Sequence, residues 1–496
     1  MFKKTISIII IVCMLVLSIG CESTDTQPKQ NVENTKSKEH DTIKYEVDND
    51  GGSFSQNDLI YFIMTDRFND GDTSNNNFND VNKNNPRAYH GGDIKGVIEK
   101  LDYIKSLGAT AIWLTPVMKN QPYGYHGYWI TDFYSVDPHL GTLEDLKTLV
   151  KEAHKRDIKV ILDHVVNHTG YKSPWLKDNE KKDWFHPKLE ITNWADQEQV
   201  ENGWLAGLPD LNQDNPEVKK YLFKNALWWI EQTGIDGMRL DTVKHVDKEF
   251  WNEFAHTIKS KYPDFYLLGE VWSDSTGYLE LYHQLGIDGV TNYSMYKGIT
   301  NTFKRFGKTT SLIHAIEKEY RFSDPNINGL FIDNHDNTRF VTLAGEYGQQ
   351  YLKQALTFIM TYPAIPIIYY GTEIGMEGGN DPDNRRDMKW DKVESSEILK
   401  FYRNLVKLRN TNEALKSDKF ELLDHDSYFM SYIRENNGES VIVVMNVQNK
   451  KKEVTVNIPT DNKVYKNYLT NETYNVESGK ISLTLKPLDI LILVSN

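Results

Sequence analysis

The chain contains very little cysteine. Its 496 residues include two cysteines, Cys13 and Cys21, and both lie near the amino terminus. Because no cysteine follows residue 21, the folded part of the protein cannot contain an internal disulfide.

Basic charge is also scarce. Lys and Arg total 57 against 70 Asp and Glu, which gives a net charge of −13. A protein that binds a phosphate backbone needs a basic patch, and no basic stripe follows residue 60. The composition therefore excludes nucleic acid as the expected partner.

Long apolar runs are limited to residues 6–19, which are too few to span a bilayer comfortably. Lys3 and Lys4 precede this run, and Gly20 and Cys21 follow it. A positively charged n-region, an apolar h-region and a small residue before the cleavage site predict a signal peptide over residues 1–20. Residues 21–55 are almost entirely polar and predict a flexible tether.

The Gly20-Cys21 pair resembles the lipobox of bacterial lipoproteins, although Ser18 stands where Leu is usual. This resemblance implies lipidation of Cys21 and an extracellular protein tethered to the bacterial cell membrane, with no other membrane contact. The alternative is an ordinary cleaved signal peptide.

The remainder of the chain is long enough for two or three domains. Helical patterns, among them residues 94–107, 142–156 and 216–234, separate short runs of strand character. The predicted strands are residues 59–65, 110–117, 158–166, 235–243, 265–271, 289–293, 329–333 and 365–370. Strands that alternate with helices in this way predict an α/β fold, a (β/α)8 TIM barrel over residues 56–168 and 215–412.

Two further domains are predicted beside the barrel. Residues 169–214 are too many for a simple loop after the third strand, so they predict a small inserted domain. After residue 410 the pattern changes to short alternating runs, such as 440–447 and 452–458. This pattern predicts a carboxyl-terminal antiparallel β-sandwich over residues 413–496.

Four short acidic segments follow apolar runs along the barrel. They are residues 163–168 (DHVVNH), 237–241 (GMRLD), 269–272 (GEVW) and 331–336 (FIDNHD). A carboxylate at the end of a barrel strand points into the space where barrel enzymes keep their chemistry.

Asp241 and Glu270 end successive predicted strands. Two carboxyl groups about 5–5.5 Å apart are the pair that cleaves a glycosidic bond with retention of configuration. Arg239 points to the same side as Asp241 and is expected to keep it ionised. Crowding by neighbouring carboxylates is expected to raise the pKa of Glu270, and Asp336 would be a third carboxylate, oriented by His335.

In order and spacing, the four segments resemble the signature regions of the α-amylase family, glycoside hydrolase family 13. Residues 208–212 (LPDLN) resemble a fifth region. The resemblance covers residues 58–496 and implies that Asp241 is the nucleophile, Glu270 the general acid/base and Asp336 the stabiliser of the transition state. His164 departs from the apolar residue usual there and is expected to face away from the pocket.

The resemblance also implies a set of sugar-binding residues. Three of them hold the sugar before the cleaved bond: Arg239, His168 and His335. Three belong to the loop of residues 124–129. Lys244 and His245 contact sugar beyond the cleavage point, and Asp381 and Arg385 bind a distal glucose. The set is His126, Tyr128, Trp129, His168, Arg239, Lys244, His245, His335, Asp381 and Arg385.

The resemblance also implies two Ca²⁺ sites. Calcium binds several oxygen ligands, and both sites are rich in Asp and Asn side chains or backbone carbonyls. The first resembles the site that joins the inserted domain to the barrel, with Asn167, Asp210 and the backbone carbonyl of His245. The second resembles a site of cyclodextrin glycosyltransferases and some bacterial amylases. Its expected ligands are Asp70, Asp72, Asn75, Asn76, Gly91 and Asp93.

Residues around the acidic segments favour one specificity. Thr242 and the pair Lys244-His245 resemble enzymes that act on α-1,4 bonds. Ala206 stands where cyclodextrin glycosyltransferases carry a bulky aromatic residue, and a single β-domain follows the barrel. Cyclomaltodextrinases and neopullulanases usually carry an extra amino-terminal β-domain, which the tether cannot supply.

The expected protein is therefore a monomeric, extracellular α-amylase that cleaves internal α-1,4 bonds of starch and maltooligosaccharides. It is expected to be closest to secreted bacterial maltose-forming enzymes, with cyclodextrins or pullulan as further substrates. The alternatives are a cyclodextrin glycosyltransferase or a cyclomaltodextrinase/neopullulanase. A non-catalytic maltooligosaccharide-binding lipoprotein is remote, because such a protein has no need of all three carboxylates.

Overall fold

Eight parallel strands form a nearly closed barrel in the computed structural model, which describes residues 54–460 and 462–495. The first ten strands of the chain are β1 (Ile60–Ile63), β2 (Ala111–Leu114), β3 (Met118–Asn120), β4 (Ile130–Val136), β5 (Lys159–His164), β6 (Gly237–Leu240), β7 (Tyr266–Gly269), β8 (Gly289–Val290), β9 (Gly329–Phe331) and β10 (Ile365–Tyr369). Their order in the barrel is β8-β7-β6-β5-β2-β1-β10-β9, and a parallel bridge from Thr291 to Gly329 links the two end strands. The predicted TIM barrel is confirmed.

The barrel strands are apolar and buried because helices cover their outer faces. All residues of β1 (IYFI) and β2 (AIWL) are buried. Each strand is shorter than predicted, since its last residues leave the ladder and enter the loops above it. The predicted strand 235–243 ends at Leu240, and Thr242 takes the left-handed conformation with φ 50°.

The helices alternate with the strands along the chain. They are α1 (Thr65–Phe68), α2 (Ile94–Glu99), α3 (Leu101–Ser106), α4 (Leu143–His154), α5 (Gln197–Asn202), α6 (Pro216–Thr233), α7 (Lys248–Lys259), α8 (Thr276–His283), α9 (Tyr293–Thr302), α10 (Thr310–Ile316), α11 (Phe340–Ala344), α12 (Gly348–Thr361) and α13 (Glu397–Thr411). Helix α4 begins with the predicted start signature, because the Thr142 and Asp145 side chains each bond the other's backbone N–H. The single predicted helix 94–107 is two helices, interrupted at Lys100 where ψ is 6°.

Two structures are inserted between barrel strands. Strands β3 and β4 form an antiparallel hairpin, which the sequence prediction missed because β3 has only three residues and the register shifts twice along the pair. The segment 169–214 contains α5 and short 3-10 helices rather than a regular sheet. Bridges from His168 to Asp210 and from Phe185 to Leu211 bring its two ends together.

The carboxyl-terminal part is antiparallel, as predicted. Its strands are β11 (Phe420–His425), β12 (Phe429–Asn436), β13 (Glu439–Asn446), β14 (Lys452–Asn457), β15 (Val464–Asn467), β16 (Thr473–Asn475), β17 (Lys480–Leu485) and β18 (Ile490–Ser495). Six of them form a sheet of order β11-β12-β13-β18-β15-β16, and β14 pairs with β17. Apolar side chains from both sheets, including Ile442, Val456 and Leu483, share one core.

The amino-terminal predictions fall largely outside the described residues, including the signal peptide, Cys21 and most of the tether. Phe54, which was assigned to the tether, instead belongs to the barrel domain. It is 2% exposed and its ring stacks on Tyr266 with centroids 4.4 Å apart. Within residues 54–460 and 462–495, none of the helices has the length and apolar character needed to span a membrane.

Candidate active site

The predicted carboxylates meet at the carboxyl ends of the barrel strands. Asp241 follows β6, Glu270 follows β7, and Asp336 lies in the loop after β9. Strands β6 and β7 pair directly, with Leu240 opposite Gly269, so Asp241 and Glu270 leave the sheet side by side. All three carboxylates line one cavity of about 460 Å³.

One buried cation joins the carboxylates. Arg239 is fully buried, and its Nη1 donates to Asp241 Oδ1 at 2.6 Å and to Asp163 Oδ1 at 2.9 Å. Its Nη2 is in ion-pair contact with Glu270 Oε1. One guanidinium cannot neutralise three ionised carboxylates in a water-poor site, so the arrangement favours a proton on one of them.

Glu270 is the group that gains this proton. The pKa of Glu270 is raised from 4.5 to about 8, chiefly by burial; Arg239 opposes this rise, and the charges of Asp241 and Asp336 add to it. The direction agrees with the sequence prediction, but burial contributes more than the predicted crowding. Glu270 Oε2 accepts from the backbone N–H of Thr242 at 3.2 Å, and Oε1 accepts from Trp272 Nε1 at 3.3 Å.

Asp163, the first residue of the segment 163–168, is a site residue whose role the sequence did not reveal. It is buried and accepts from Trp113 Nε1 at 3.1 Å and from the Tyr128 hydroxyl at 2.8 Å, in addition to Arg239. Burial raises its pKa to about 7. Strand register is the signal that identifies it, because Asp163 pairs with Arg239 across β5 and β6.

Asp336 is held by one cation, Arg385, and by the imidazole of His335. Arg385 Nη2 donates to its Oδ1 at 3.2 Å, and His335 Nε2 lies 3.2 Å from its Oδ2. Arg385 Nη1 also lies 3.2 Å from Asp381 Oδ1. The two residues predicted for a distal glucose therefore line the same cavity, and one of them contacts the third carboxylate directly.

The wall beside the carboxylates contains the predicted histidines and aromatic residues. The Tyr128 ring stacks on His335 with centroids 5.2 Å apart. Burial lowers the pKa of His126, His168 and His335, so these imidazoles are neutral at pH 7 and can bond sugar hydroxyls without adding charge. Trp129 completes this wall.

His164 lies away from the cavity, as the sequence analysis expected. It is fully buried and its ring stacks on Phe254 with centroids 6.0 Å apart. Burial lowers the pKa of His164 to about 4, which is consistent with a neutral packing residue.

The cavity is also lined by Lys244 and His245, together with aromatic residues that sequence reasoning missed. Lys244 Nζ donates to the Trp272 carbonyl at 3.2 Å and lies 5.6 Å from the Trp194 ring. Trp194 is 59% exposed and Trp272 is 46% exposed. For Trp194, the abundance of tryptophan in residues 169–214 was a sequence signal for an aromatic ring at the site. The sequence of that segment does not show which of its tryptophans reaches the cavity.

The first proposed calcium cluster has oxygen atoms without protein donors. Among the described residues, the buried Oδ1 atoms of Asn167 and Asp210 accept no hydrogen bond. Asp210 Oδ2 is bonded to His186 Nδ1 at 2.7 Å, and burial raises the pKa of Asp210 to about 7. A buried acid with one free oxygen beside a free amide oxygen fits a hard cation.

The second proposed calcium cluster fits a cation less completely. Asp70 Oδ1 and Asn75 Oδ1 are buried and have no hydrogen-bond partner among the described residues. Asp93, in contrast, caps α2 and accepts from the backbone N–H of Gly96 at 2.6 Å and of Asp72 at 2.7 Å. Asp72 itself bonds Lys95 at 2.6 Å.

Gly91 and Asn76, the other two predicted ligands, lie against each other in this cluster. Gly91 has φ 92°, and a Cβ there would lie 2.4 Å from Asn76 Oδ1. Within the described part of the chain, no group of three or more His, Cys, Asp or Glu side chains is arranged to hold a metal. Both predicted sites rest on Asn and backbone oxygens as well as Asp.

Comparison with known proteins places this geometry in a family. Residues 62–396 match the family described as "Alpha amylase, catalytic domain". The chain belongs to the α-amylase family of glycoside hydrolases. Residues 420–492 match the "Maltogenic Amylase, C-terminal domain", which accounts for the antiparallel sheets after the barrel.

Curated relatives in this family differ in their names and lengths. A cyclomaltodextrinase of Thermoanaerobacter pseudethanolicus is 36% identical over 80% of this chain and 71% of its own length. A beta/alpha-amylase of Paenibacillus polymyxa is 38% identical over 87% of this chain, which spans only 37% of that protein. Other relatives are named neopullulanase and maltogenic α-amylase.

Solved structures of the family share the whole architecture. An α-amylase of Anoxybacillus is 46% identical and superposes with a TM-score of 0.84, with 89% of this chain and 98% of that chain covered. The covered share of this chain is as large as its described part, so the agreement extends over the barrel, the inserted segment and the carboxyl-terminal sheets.

Proposed function

We propose that this member of the α-amylase family hydrolyses α-1,4-glucosidic bonds with retention of configuration. The observation that carries the proposal is the contact of one buried Arg239 with both Asp241 and Glu270, together with the pKa of about 8 at Glu270. A retaining glycosidase needs one ionised and one protonated carboxyl group at the same bond.

The residues take their roles from this difference in protonation. Glu270 donates its proton to the leaving glycosidic oxygen while Asp241 attacks the anomeric carbon and forms a glycosyl-enzyme. Glu270, now ionised, then removes a proton from water, and the water oxygen displaces Asp241. Asp336 stands on the same cavity, where Arg385 and His335 fix its position beside the sugar.

The substrate specificity that we infer includes cyclodextrins as well as starch and maltooligosaccharides. The curated relatives named cyclomaltodextrinase and neopullulanase support this alternative better than an enzyme restricted to internal bonds of starch. The Anoxybacillus α-amylase keeps starch among the expected substrates. Cyclic products from starch would instead indicate a cyclodextrin glycosyltransferase.

We also propose bound Ca²⁺ at Asn167 and Asp210, where two buried oxygens have no protein donor. The ion would supply a positive charge that joins the inserted segment to the barrel, and it takes no part in the reaction.

An extracellular location with a lipid on Cys21 rests on the sequence of residues 1–21. Incorporation of labelled fatty acid into the wild type, and not into Cys21→Ser, tests that location.

Substitution of the two carboxylates tests the reaction. Asp241→Asn and Glu270→Gln should each lower kcat/KM for soluble starch, β-cyclodextrin and maltoheptaose by roughly three orders of magnitude or more. Asp264→Asn and Glu249→Gln change exposed acids outside the cavity and serve as matched controls. Near wild-type rates in either cavity variant would refute the assignment.

The same assays test the specificity. Reaction products are separated by chromatography, and the anomeric form of the first product is read by NMR. We expect linear products of the α-anomer from all three substrates. A β-anomeric first product would exclude retention of the α configuration, and no turnover of β-cyclodextrin would restrict the enzyme to linear glucans.

A further inference from the structure

Tyr171 lines the cavity with an aromatic ring that takes no part in the proposed reaction. It lies at the start of the inserted segment, three residues after His168, and lines the same cavity as Asp241, Glu270 and Asp336. Its side chain is 41% exposed, although buried packing is the usual place for a large ring.

The ring is held in position by a backbone group on the other side of the inserted segment. The Tyr171 hydroxyl donates to the Ala206 carbonyl at 3.0 Å. Ala206 and Gly207 both have positive φ, at 53° and 79°. The left-handed bend gives residues 206–207 the conformation in which that carbonyl meets the Tyr171 hydroxyl.

The Tyr171 ring packs close to this bend. A Cβ added to Gly207 would lie 3.9 Å from Tyr171 Cε1, an ordinary van der Waals distance. The edge of the Tyr171 ring also meets Trp129, with centroids 5.5 Å apart and planes at 69°. A hydroxyl anchor at one end and an aromatic neighbour at the side restrict the rotation of the ring, so one face remains available to a ligand.

An exposed and fixed aromatic face suits the apolar C–H face of a glucose unit, because little side-chain entropy is lost on binding. Two rings separate Tyr171 from Tyr128, which bonds Asp163 beside the carboxylates: Tyr128 stacks near His126, His126 meets Trp129, and Trp129 meets Tyr171. A short substrate that fills the positions next to the cleaved bond therefore leaves no glucose for Tyr171. A longer α-1,4-glucan curves, and in a cyclodextrin the curve is closed, so additional glucose units remain within the cavity.

We propose that Tyr171, fixed by the Ala206 carbonyl, is a sugar platform that determines preference for long and cyclic α-1,4-glucans over short linear ones. The proposal rests on the proposed hydrolysis of α-1,4-glucans and names a residue that selects among those substrates. Tyr171 acts on binding and not on the bond that breaks, so its effect belongs to KM.

Kinetics on three substrates test the platform. In Tyr171→Ala, KM for β-cyclodextrin and for maltoheptaose should rise roughly three- to tenfold with kcat little changed. The values for maltotriose should stay within about twofold, since the platform lies beyond its reach. Tyr171→Phe keeps the ring but loses the anchor, and its KM for the longer substrates should fall between those of the other two proteins.

Tyr320→Ala is the matched control, because Tyr320 is 78% exposed and lies outside the cavity. An unchanged KM for β-cyclodextrin in Tyr171→Ala would overturn the proposal. A rise of equal size for maltotriose would also overturn it, since that result indicates a general disturbance of the site.

Equilibrium binding separates this proposal from the proposed reaction. Calorimetry of β-cyclodextrin with Glu270→Gln and with Glu270→Gln/Tyr171→Ala should give a Kd that is roughly three- to tenfold weaker in the double variant. If the wild type hydrolyses neither soluble starch nor β-cyclodextrin nor a linear maltooligosaccharide, the proposed function fails. The comparison of Kd values still decides the role of Tyr171 in that case. Equal Kd values would overturn the platform even in an active enzyme.

Discussion

At the scale of single residues, the site is organised by one buried cation. Arg239 contacts Asp163, Asp241 and Glu270, so its single positive charge is shared among three acids. Burial strengthens each of these interactions and also penalises every ionised carboxylate. Burial raises the pKa of both Glu270 and Asp163. The pKa of Glu270, about 8, is higher than that of Asp163, about 7, so Glu270 binds its proton more tightly.

The pKa of Glu270 sets an expected pH dependence. The general acid must carry its proton, and the pKa of Glu270 is raised from 4.5 to about 8. Activity should therefore persist at neutral pH and decline as pH rises through that value, by about tenfold per pH unit beyond it. The measurement is kcat/KM for maltoheptaose between pH 5 and 10, limited to the range where the fold is intact by circular dichroism.

The position of the alkaline limb decides this prediction. A rate that already falls from pH 5 upward, as expected for a glutamic acid with the ordinary pKa of 4.5, would show that burial does not keep Glu270 protonated. Repeating the profile with Glu249→Gln, an exposed acid on α7, should leave the limb in place.

At the scale of elements, parallel strands bring distant parts of the sequence to one edge. Strands β5, β6 and β7 are adjacent in the barrel, and each ends in a residue of the cluster or next to one. The inserted segment after β5 then closes one side of the cavity with Tyr171 and Trp194. It has little regular secondary structure, so its attachment to the barrel depends on specific contacts.

The proposed calcium ion is one such contact. Removal of Ca²⁺ by EDTA should lower the melting temperature of the wild type by roughly 5 °C or more, because an ion that binds only the folded state stabilises it. Asp210→Asn should have a low melting temperature and little further response to EDTA. Differential scanning calorimetry at matched protein concentration gives both values.

Asp183→Asn is the control for this experiment, since Asp183 is an exposed acid within the same inserted segment. It should keep the full response to EDTA. A wild-type melting temperature that is the same with and without EDTA would contradict the proposed calcium site.

At the scale of the whole molecule, one buried arginine connects the barrel to the carboxyl-terminal sheets, and a second bonds backbone carbonyls within the barrel domain. Arg434 on β12 donates to the carbonyls of Thr361, at the end of α12, and of Lys419 at 2.7 Å. Arg409 on α13 donates to the Met360 and Ala364 carbonyls at 2.9 and 3.0 Å. Burial lowers the pKa of Arg434 to about 10, and its guanidinium also donates to the carbonyls of Leu415 and Ser417.

Removal of one of these arginines should destabilise the fold. Arg434→Ala leaves several buried carbonyls without a donor, so the free energy of unfolding should fall by roughly 3 kcal/mol or more. Urea denaturation followed by fluorescence measures the change, and kcat/KM at 20 °C should stay near the wild-type value because the site lies at the other end of the strands from β12.

Arg403→Ala provides the comparison, since Arg403 is exposed on α13. Its free energy of unfolding should change by less than about 0.5 kcal/mol. A similarly small change in Arg434→Ala would show that the buried carbonyls find other donors.

The sequence predicted the order of the eight barrel strands and placed Asp241 and Glu270 after neighbouring strands, as the structure has them. Periodicity distinguishes strands from helices locally, and an acid directly after an apolar strand must leave the sheet at its end. Asp241 and Glu270 could be paired on this basis alone. The strand boundaries were less well predicted, because residues such as Thr242 leave the ladder through a backbone conformation that no sequence pattern indicated.

Tertiary structure decided what surrounds these acids. The register of β5 against β6 brings Asp163 to Arg239, and the fold of the inserted segment brings Tyr171 to the Ala206 carbonyl. Burial of Glu270, which sets its pKa, likewise depends on the complete packing around the cavity. Periodicity reports which neighbours lie within one helix or strand, whereas these contacts join residues far apart in the chain and exist only once the elements have packed.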